Sequence, residues 1–251
     1  MDETTYYVGW DVGGWKCDQN PRSRDAICVL HADRDGLSIV GEIRRGNIRG
    51  TLAQHESLHQ IVNAFCESEI NEADRIFIAI DTPLGFSTEF RNLLARRAII
   101  EVNEQHGDNR YLFRRTERWL CEYGFNPFSA VKDMIGSQAT KGMHLLARVE
   151  AQTNGDRVGI WQGRNVTAIE AYPTTCKPSK MMAALRARLD LSSLRHEDQV
   201  DAVDCALVAY TFATQRDQLV GPIPDLDPEE GWIWVPRDTV GRRSNRDPLR
   251  R

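Results

Sequence analysis

Five acidic residues hold the chemistry this chain could do. Asp11 closes the apolar run Tyr6-Tyr7-Val8-Gly9-Trp10 and is followed by Val12-Gly13-Gly14. Asp81 closes Ile76-Phe77-Ile78-Ala79-Ile80 and is followed by Thr82-Pro83-Leu84-Gly85. Glu170 lies inside Val166-Thr167-Ala168-Ile169-Glu170-Ala171-Tyr172, and Asp201 and Asp204 stand three apart in a segment that also contains Asp198. A carboxylate beside a core is costly to desolvate unless something binds it. Carboxylates brought together repel and raise one another's pKa, so a cation is the natural third party. Mg2+ or Mn2+ suits such a set, because hard cations take oxygen ligands and need few protein carboxylates when phosphate and water complete the shell. Taken singly, Asp11 and Asp81 read equally as turn caps, and Asp198 or Asp201 as first-turn helix acids. The repetition of acids at strand ends is what favours a site.

The elements that would position them follow from hydrophobic periodicity. Residues 6–11, 26–30 and 37–40 read as strands, the last two joined by the hairpin turn Asp33-Arg34-Asp35-Gly36, giving an antiparallel meander. Residues 52–66 have the helical period, with Leu58, Ile61, Val62 and Phe65 on one face. The strand 75–81 after that helix is expected parallel to the first. Ligands bind at the carboxyl ends of parallel strands, which is where Asp11 and Asp81 would then meet. Helices are expected over 89–105, 127–151 (with Gly136 and Gly142 as breaks), 179–189 and 196–214, and a last strand over 231–236. At about 100° per residue, Asp204 falls at the edge of the apolar stripe of Val200, Val203, Leu207 and Tyr210. Asp201 lies further round, and Asp198 furthest and most exposed.

The order of elements resembles the ribonuclease H-like fold. Asp201-Ala202-Val203-Asp204-Cys205-Ala206-Leu207-Val208-Ala209 resembles the last catalytic helix of Holliday-junction resolvases. The whole chain resembles a family of bacterial and archaeal proteins described as predicted ribonuclease H-like nucleases. The matching pieces are Gly9-Trp10-Asp11, Ile80-Asp81-Thr82-Pro83-Leu84-Gly85, Glu170-Ala171-Tyr172-Pro173, residues 196–209 and Gly231-Trp232-Ile233-Trp234-Val235-Pro236. This implies an α/β domain over residues 1–236: a mixed five-stranded sheet flanked by helices, with a helical insertion at about 88–155. It also implies a metal-dependent nuclease acting on DNA or RNA by a two-metal mechanism. The catalytic set is then Asp11, Asp81, Glu170, Asp201 and Asp204, with Asp11, Asp81 and Asp204 on the metal and Asp198 competing for the last place.

Binding a polyanion needs positive charge. Arg110, Arg114, Arg115 and Arg118 interleave with Tyr111, Phe113 and Trp119, a pattern suited to phosphate contacts and base stacking. Lys141 extends the expected surface; the plainer reading is an amphipathic helix with solvated arginines. The chain of 251 residues carries a net charge of -4. Residues 237–251 hold six arginines against Asp238 and Asp247, a net of +4, which leaves -8 on the body. An acidic body disfavours tight non-specific duplex binding and suits a single-stranded or structured substrate, or a protein partner.

Other readings compete. Asp11-Val12-Gly13-Gly14 is similar to the first phosphate loop of sugar and acetate kinases, but Asp81-Thr82-Pro83-Leu84-Gly85 makes a poor second loop. His55-Glu56-Ser57-Leu58-His59 matches a zinc-protease signature without an evident third ligand. A non-catalytic scaffold that binds nucleic acid or protein is the third alternative. No apolar run reaches the roughly 20 residues that span a bilayer, and Met1-Asp2-Glu3-Thr4-Thr5 is not a secretory signal. A cytoplasmic location without membrane contact is expected. Six cysteines lie singly, with no CxxC pair, as reduced buried hydrophobes would.

Overall fold

The computed structural model describes residues 4–101, 109–153 and 155–241. It is a mixed α/β structure with a curled mixed sheet flanked by helices. The chain runs β1 (Thr5–Asp11), β2 (Asp25–Ala32), β3 (Leu37–Ile39), β4 (Arg44–Gly46), α1 (Arg49–Gln54), α2 (Leu58–Cys66), β5 (Arg75–Asp81) and α3 (Thr88–Arg96). It continues through α4 (Arg115–Glu122), α5 (Gly136–Arg148), β6 (Trp161–Gly163), β7 (Val166–Ala171), α6 (Lys180–Arg186), α7 (Glu197–Thr214), β8 (Leu219–Val220) and β9 (Ile233–Pro236). The strand order is β3-β2-β1-β5-β7-β9-β8, with β4 beside β2 and β6 beside β7. The first three strands form the expected antiparallel meander, and β1, β5, β7 and β9 are parallel neighbours in that order. The sheet is thus wider than the five strands expected. The short strands β4, β6 and β8 have too few residues to show a period of two.

Both faces of the sheet are covered, so its central strands are near-continuous apolar runs. One face carries α7 and α6, packed on Tyr7, Ala79, Ile169 and Ala171. The other carries α1, α2 and α5, packed on Val8, Trp10, Ile78, Ile80 and Ala168. Gly9 shows how closely α7 lies on β1: a Cβ there would stand 2.0 Å from the Ala202 carbonyl oxygen and 2.2 Å from the Ala206 nitrogen. Backbone rests on backbone, and Ala202, Cys205, Ala206 and Ala209 keep that side of the helix flat.

Several expected helices are shorter. The 52–66 helix breaks at His55, whose backbone is extended, and restarts at Ser57, whose hydroxyl accepts the Gln60 N–H at 3.2 Å. The 89–105 helix ends at Arg96, with Arg97 in the left-handed region. Of 127–151 only α5 is helical; Gly136 begins it, and Gly142 sits inside it rather than breaking it. All six cysteines are buried and unpaired. Among the described residues no helix is long and apolar enough to cross a membrane. The arginines of the tail beyond Gly241 lie outside the described residues.

Candidate metal and phosphate site

Asp11 and Asp81 are register partners at the ends of β1 and β5. Parallel neighbours of this kind have backbones about 4.8 Å apart and project to the same face. That face is α7's, because Tyr7 and Phe77, an even number of residues upstream, meet Tyr210 and Phe212 of the helix. The helix runs antiparallel to β1, so its N-terminal turns arrive where the two strands end.

Those turns carry three aspartates in different states. Asp198 is buried, against expectation, because β4 covers it. The Arg45 Nε donates to its Oδ2 at 2.6 Å and the Arg24 N–H to the same oxygen at 2.9 Å. The Asp198 N–H donates to His196 Nδ1 at 3.2 Å, so His196 caps the helix. Asp204 is also buried; its Oδ1 accepts from Arg186 Nε at 2.7 Å, while its Oδ2 has no partner. Asp201, between them, is half-buried. Its Oδ1 is buried with no hydrogen-bond partner, and Lys177 Nζ stands 3.9 Å away. Lys177 comes from the loop after β7 and donates to Glu197 at 3.1 Å.

The electrostatics follow from that crowding. Burial, then Asp81, then Asp198 and Asp201 hold the Asp11 carboxyl well above the usual carboxylate range. Asp81 is pushed up to about 8 by burial, Asp201 and Glu170, with Lys177 pulling it back. Burial raises Asp201 against the opposing pull of Lys177, and raises Asp204 to about 6 against that of Arg186. A group of acids that keeps protons near neutral pH is one whose natural counter-charge is positive.

Glu170 is not part of this group. It pairs in register with Ile80, so its side chain leaves the sheet on the opposite face from Asp81. There Arg114 grips both its oxygens, at 2.6 and 2.8 Å, and the Leu84 N–H donates to Oε2 at 3.0 Å. Arg114 also binds Glu117 at 2.9 Å. The expectation that Glu170 is catalytic and Arg114 a nucleic-acid contact is therefore corrected: they neutralise each other in the interior. Lys141 is corrected likewise. It is fully buried, donating to Asp25, whose oxygens also take the Trp10 Nε1–H (3.1 Å), Gly13 N–H (3.0 Å) and Ile48 N–H (3.0 Å).

Of the remaining arginines, Arg110 is exposed and lies 3.6 Å from Glu89. Arg115 is half-buried and donates to the Asp225 carbonyl at 2.8 Å. Arg118 is half-buried, its Nε buried without a partner. Among the described residues none of the three makes a hydrogen bond or ion pair with Asp11, Asp81, Asp201 or Asp204.

The phosphate-loop reading fails at Gly13, whose N–H is already spent on Asp25, and at Trp15, whose N–H donates to Ser137. The zinc signature fails because its histidines sit on different elements. His59 is buried with Nε2 on the Asp74 carbonyl at 2.9 Å. An open groove of about 1000 Å3 passes His59, Glu72, Arg148 and Arg164, at the opposite ends of β5 and β7 from the aspartates. Among the described residues, no three His, Cys, Asp or Glu side chains form a group that could hold a metal ion unaided.

Lys177, Arg24, Arg45 and Arg186 went unread in the sequence. One signal was available for Lys177: the loop after a third parallel strand must also face the ligand end of the sheet. Comparison with protein-family models, with curated proteins and with solved structures finds no match.

Proposed function

We propose that this chain is a divalent-metal-dependent nuclease, hydrolysing phosphodiester bonds of DNA or RNA on a ribonuclease H-like sheet. The observation that carries the reading is the pairing of Asp11 with Asp81 on one face, at the ends of adjacent parallel strands, under the first turns of α7. The meander followed by parallel strands supports the fold assignment.

The residues present fit a hard divalent ion. The donors are carboxylate oxygens only, and the Asp201 Oδ1 is buried without a hydrogen bond. Mg2+ is often bound through only one or two carboxylates, with water and substrate phosphate completing its shell, so a cage of three is not required. Asp11 and Asp81 are the holding pair, and Asp201 would face the ion from α7 through its water shell rather than complete a cage. Glu170, committed to Arg114, positions the frame instead, while Asp204 gives Oδ1 to Arg186 and keeps Oδ2 without a partner. What a bound ion supplies is an activated water and charge neutralisation on the phosphate. Lys177 and the α7 N-terminus lie beside the same acids and favour negative charge there. No side chain in the group is a nucleophile, in keeping with direct attack by water.

Purified protein should cleave labelled single- or double-stranded DNA or RNA with Mg2+ or Mn2+ and stop in EDTA. Asp11→Asn and Asp81→Asn should each abolish cleavage. Full activity in either variant rejects the reading. Nucleic-acid binding without cleavage, unchanged by Asp11→Asn, would assign the non-catalytic scaffold in its place.

A further inference from the structure

The acids are bordered by positive charge of which only Arg45 is paired with a carboxylate. Lys16 and Arg22 are exposed on the loop after β1, and neither side chain makes a hydrogen bond or ion pair among the described residues. The Arg24 guanidinium is held by main-chain oxygens only, of Asn20 at 3.2 Å and Asp18 at 3.4 Å. Arg45 binds the Pro21 carbonyl at 2.8 Å with one nitrogen and Asp198 with another. Asn47 ties the start of α1, with the exposed Arg49, to the same loop through the Trp15 carbonyl (3.2 Å) and Asp18 (2.7 Å). Five basic side chains thus stand on segments that these contacts tie together, in which Asp18 is the exposed acid, with Asp198 of α7 held against Arg45. The Arg24 N–H and Arg45 Nε on Asp198 fix those segments one helical turn from Asp201.

On the other side of the aspartates stands Lys177, beyond β7. From β2 through β1 and β5 to β7 is three strand spacings, about 14 Å, with Asp11 and Asp81 in the middle. We propose that this surface, Lys16, Arg22, Arg24, Arg45 and Arg49, is the track for the phosphate backbone of a single nucleic-acid strand. The strand crosses the ends of β1 and β5 towards Lys177. The proposal takes its direction from the nuclease reading and gives the substrate a place that the arginines of α4 do not. An anionic membrane is the poorer occupant: among the described residues the large exposed apolar side chains are Leu94, Ile99, Phe128 and Met134, none of them in these segments, and interfacial binding needs apolar insertion.

The test reads binding without cleavage. Fluorescence anisotropy of labelled, mixed-sequence single-stranded DNA and RNA oligonucleotides is followed with Asp81→Asn protein in EDTA over a salt series. Each phosphate contact on a single strand contributes about 0.7 to the slope of log affinity against log salt. Adding Lys16→Ala and Arg22→Ala, both exposed, should therefore flatten the slope by about 1.4, while adding Arg110→Ala leaves it unchanged. An unchanged slope in the double variant overturns the proposal, as does an absence of binding to either oligonucleotide. Binding only to phosphatidylserine vesicles or to a poly-glutamate peptide also overturns it. The two ideas fail separately: a flattened slope with no cleavage by the unmutated protein rejects the nuclease and keeps the track. Metal-dependent cleavage with an unchanged slope does the reverse.

Discussion

Replacing Asp81 with asparagine should stabilise the metal-free protein, and do so more strongly as the pH rises. In the unfolded chain this carboxyl ionises near its ordinary 3.8, whereas in the fold it holds its proton up to about 8. Between those values the folded state binds the extra proton, so stability falls with rising pH and the whole cost is present above the folded pKa. At about 1.4 kcal/mol per pKa unit the full displacement would cost ~6 kcal/mol. Asp81 is half-buried rather than fully enclosed, and solvent screening together with its coupling to Asp11 brings the working figure to ~2 kcal/mol. For a chain of this size that is about 4–8 °C in Tm. Asparagine keeps the shape and a hydrogen-bonding head but cannot ionise. Scanning fluorimetry in EDTA should therefore show the variant melting close to the parent near about pH 4 and about 4–8 °C above it by about pH 9. Saturating Mg2+ should reverse the order at high pH, because only the parent gains the binding energy. A variant that melts below the parent at every pH would show that Asp81 is a structural cap, and the reasoning about a repelling, cation-seeking pair would fall with it.

Lys141→Met removes the buried counter-charge of Asp25 and should lower stability by ~3–5 kcal/mol in urea denaturation; a loss under ~1 kcal/mol would mean that the Trp10 indole and the main-chain donors suffice to hold Asp25. Arg114→Ala should be destabilising by a similar amount, and less so in acid, because Glu117, already raised to about 7, can then take a proton; pH-independent melting curves would contradict this. Gly9→Ala should cost ~3 kcal/mol or more by pushing α7 off β1, read as loss of near-ultraviolet circular dichroism, and a native spectrum would refute the contact. A thiol reagent should titrate none of the six cysteines in the folded protein and all of them in guanidinium; rapid labelling of any one in buffer would show that its element opens.

How much of this was legible in the sequence depended on whether the information was local. Asp11 and Asp81 could be found because an apolar run ending in an acid and a turn is a local pattern. Their meeting followed from one inference, that a strand after a helix runs parallel. Glu170 was misread because the face it takes depends on register with β5, and the arginine that neutralises it lies 56 residues away. Lys141 has ordinary helical neighbours; nothing local says that Asp25, 116 residues distant, waits for it inside. Asp198 looked exposed from the helical wheel of α7, which has no knowledge of Arg45. The zinc-like motif failed for a local reason that was readable: Ser57 is a good N-cap in the middle of it.

The missing side chain at Gly9 has a mechanical consequence. With main chain resting on main chain, the separation between the end of β1 and the first turns of α7 is set by contact between two stiff backbones rather than by compliant side-chain packing. The floor of the site behaves as a fixed gauge. Accommodation of differently shaped ligands falls to the segments hung from it, residues 12–24 and 172–177, and changes of preference within a lineage should accumulate there while the helix and the glycine beneath it stay put.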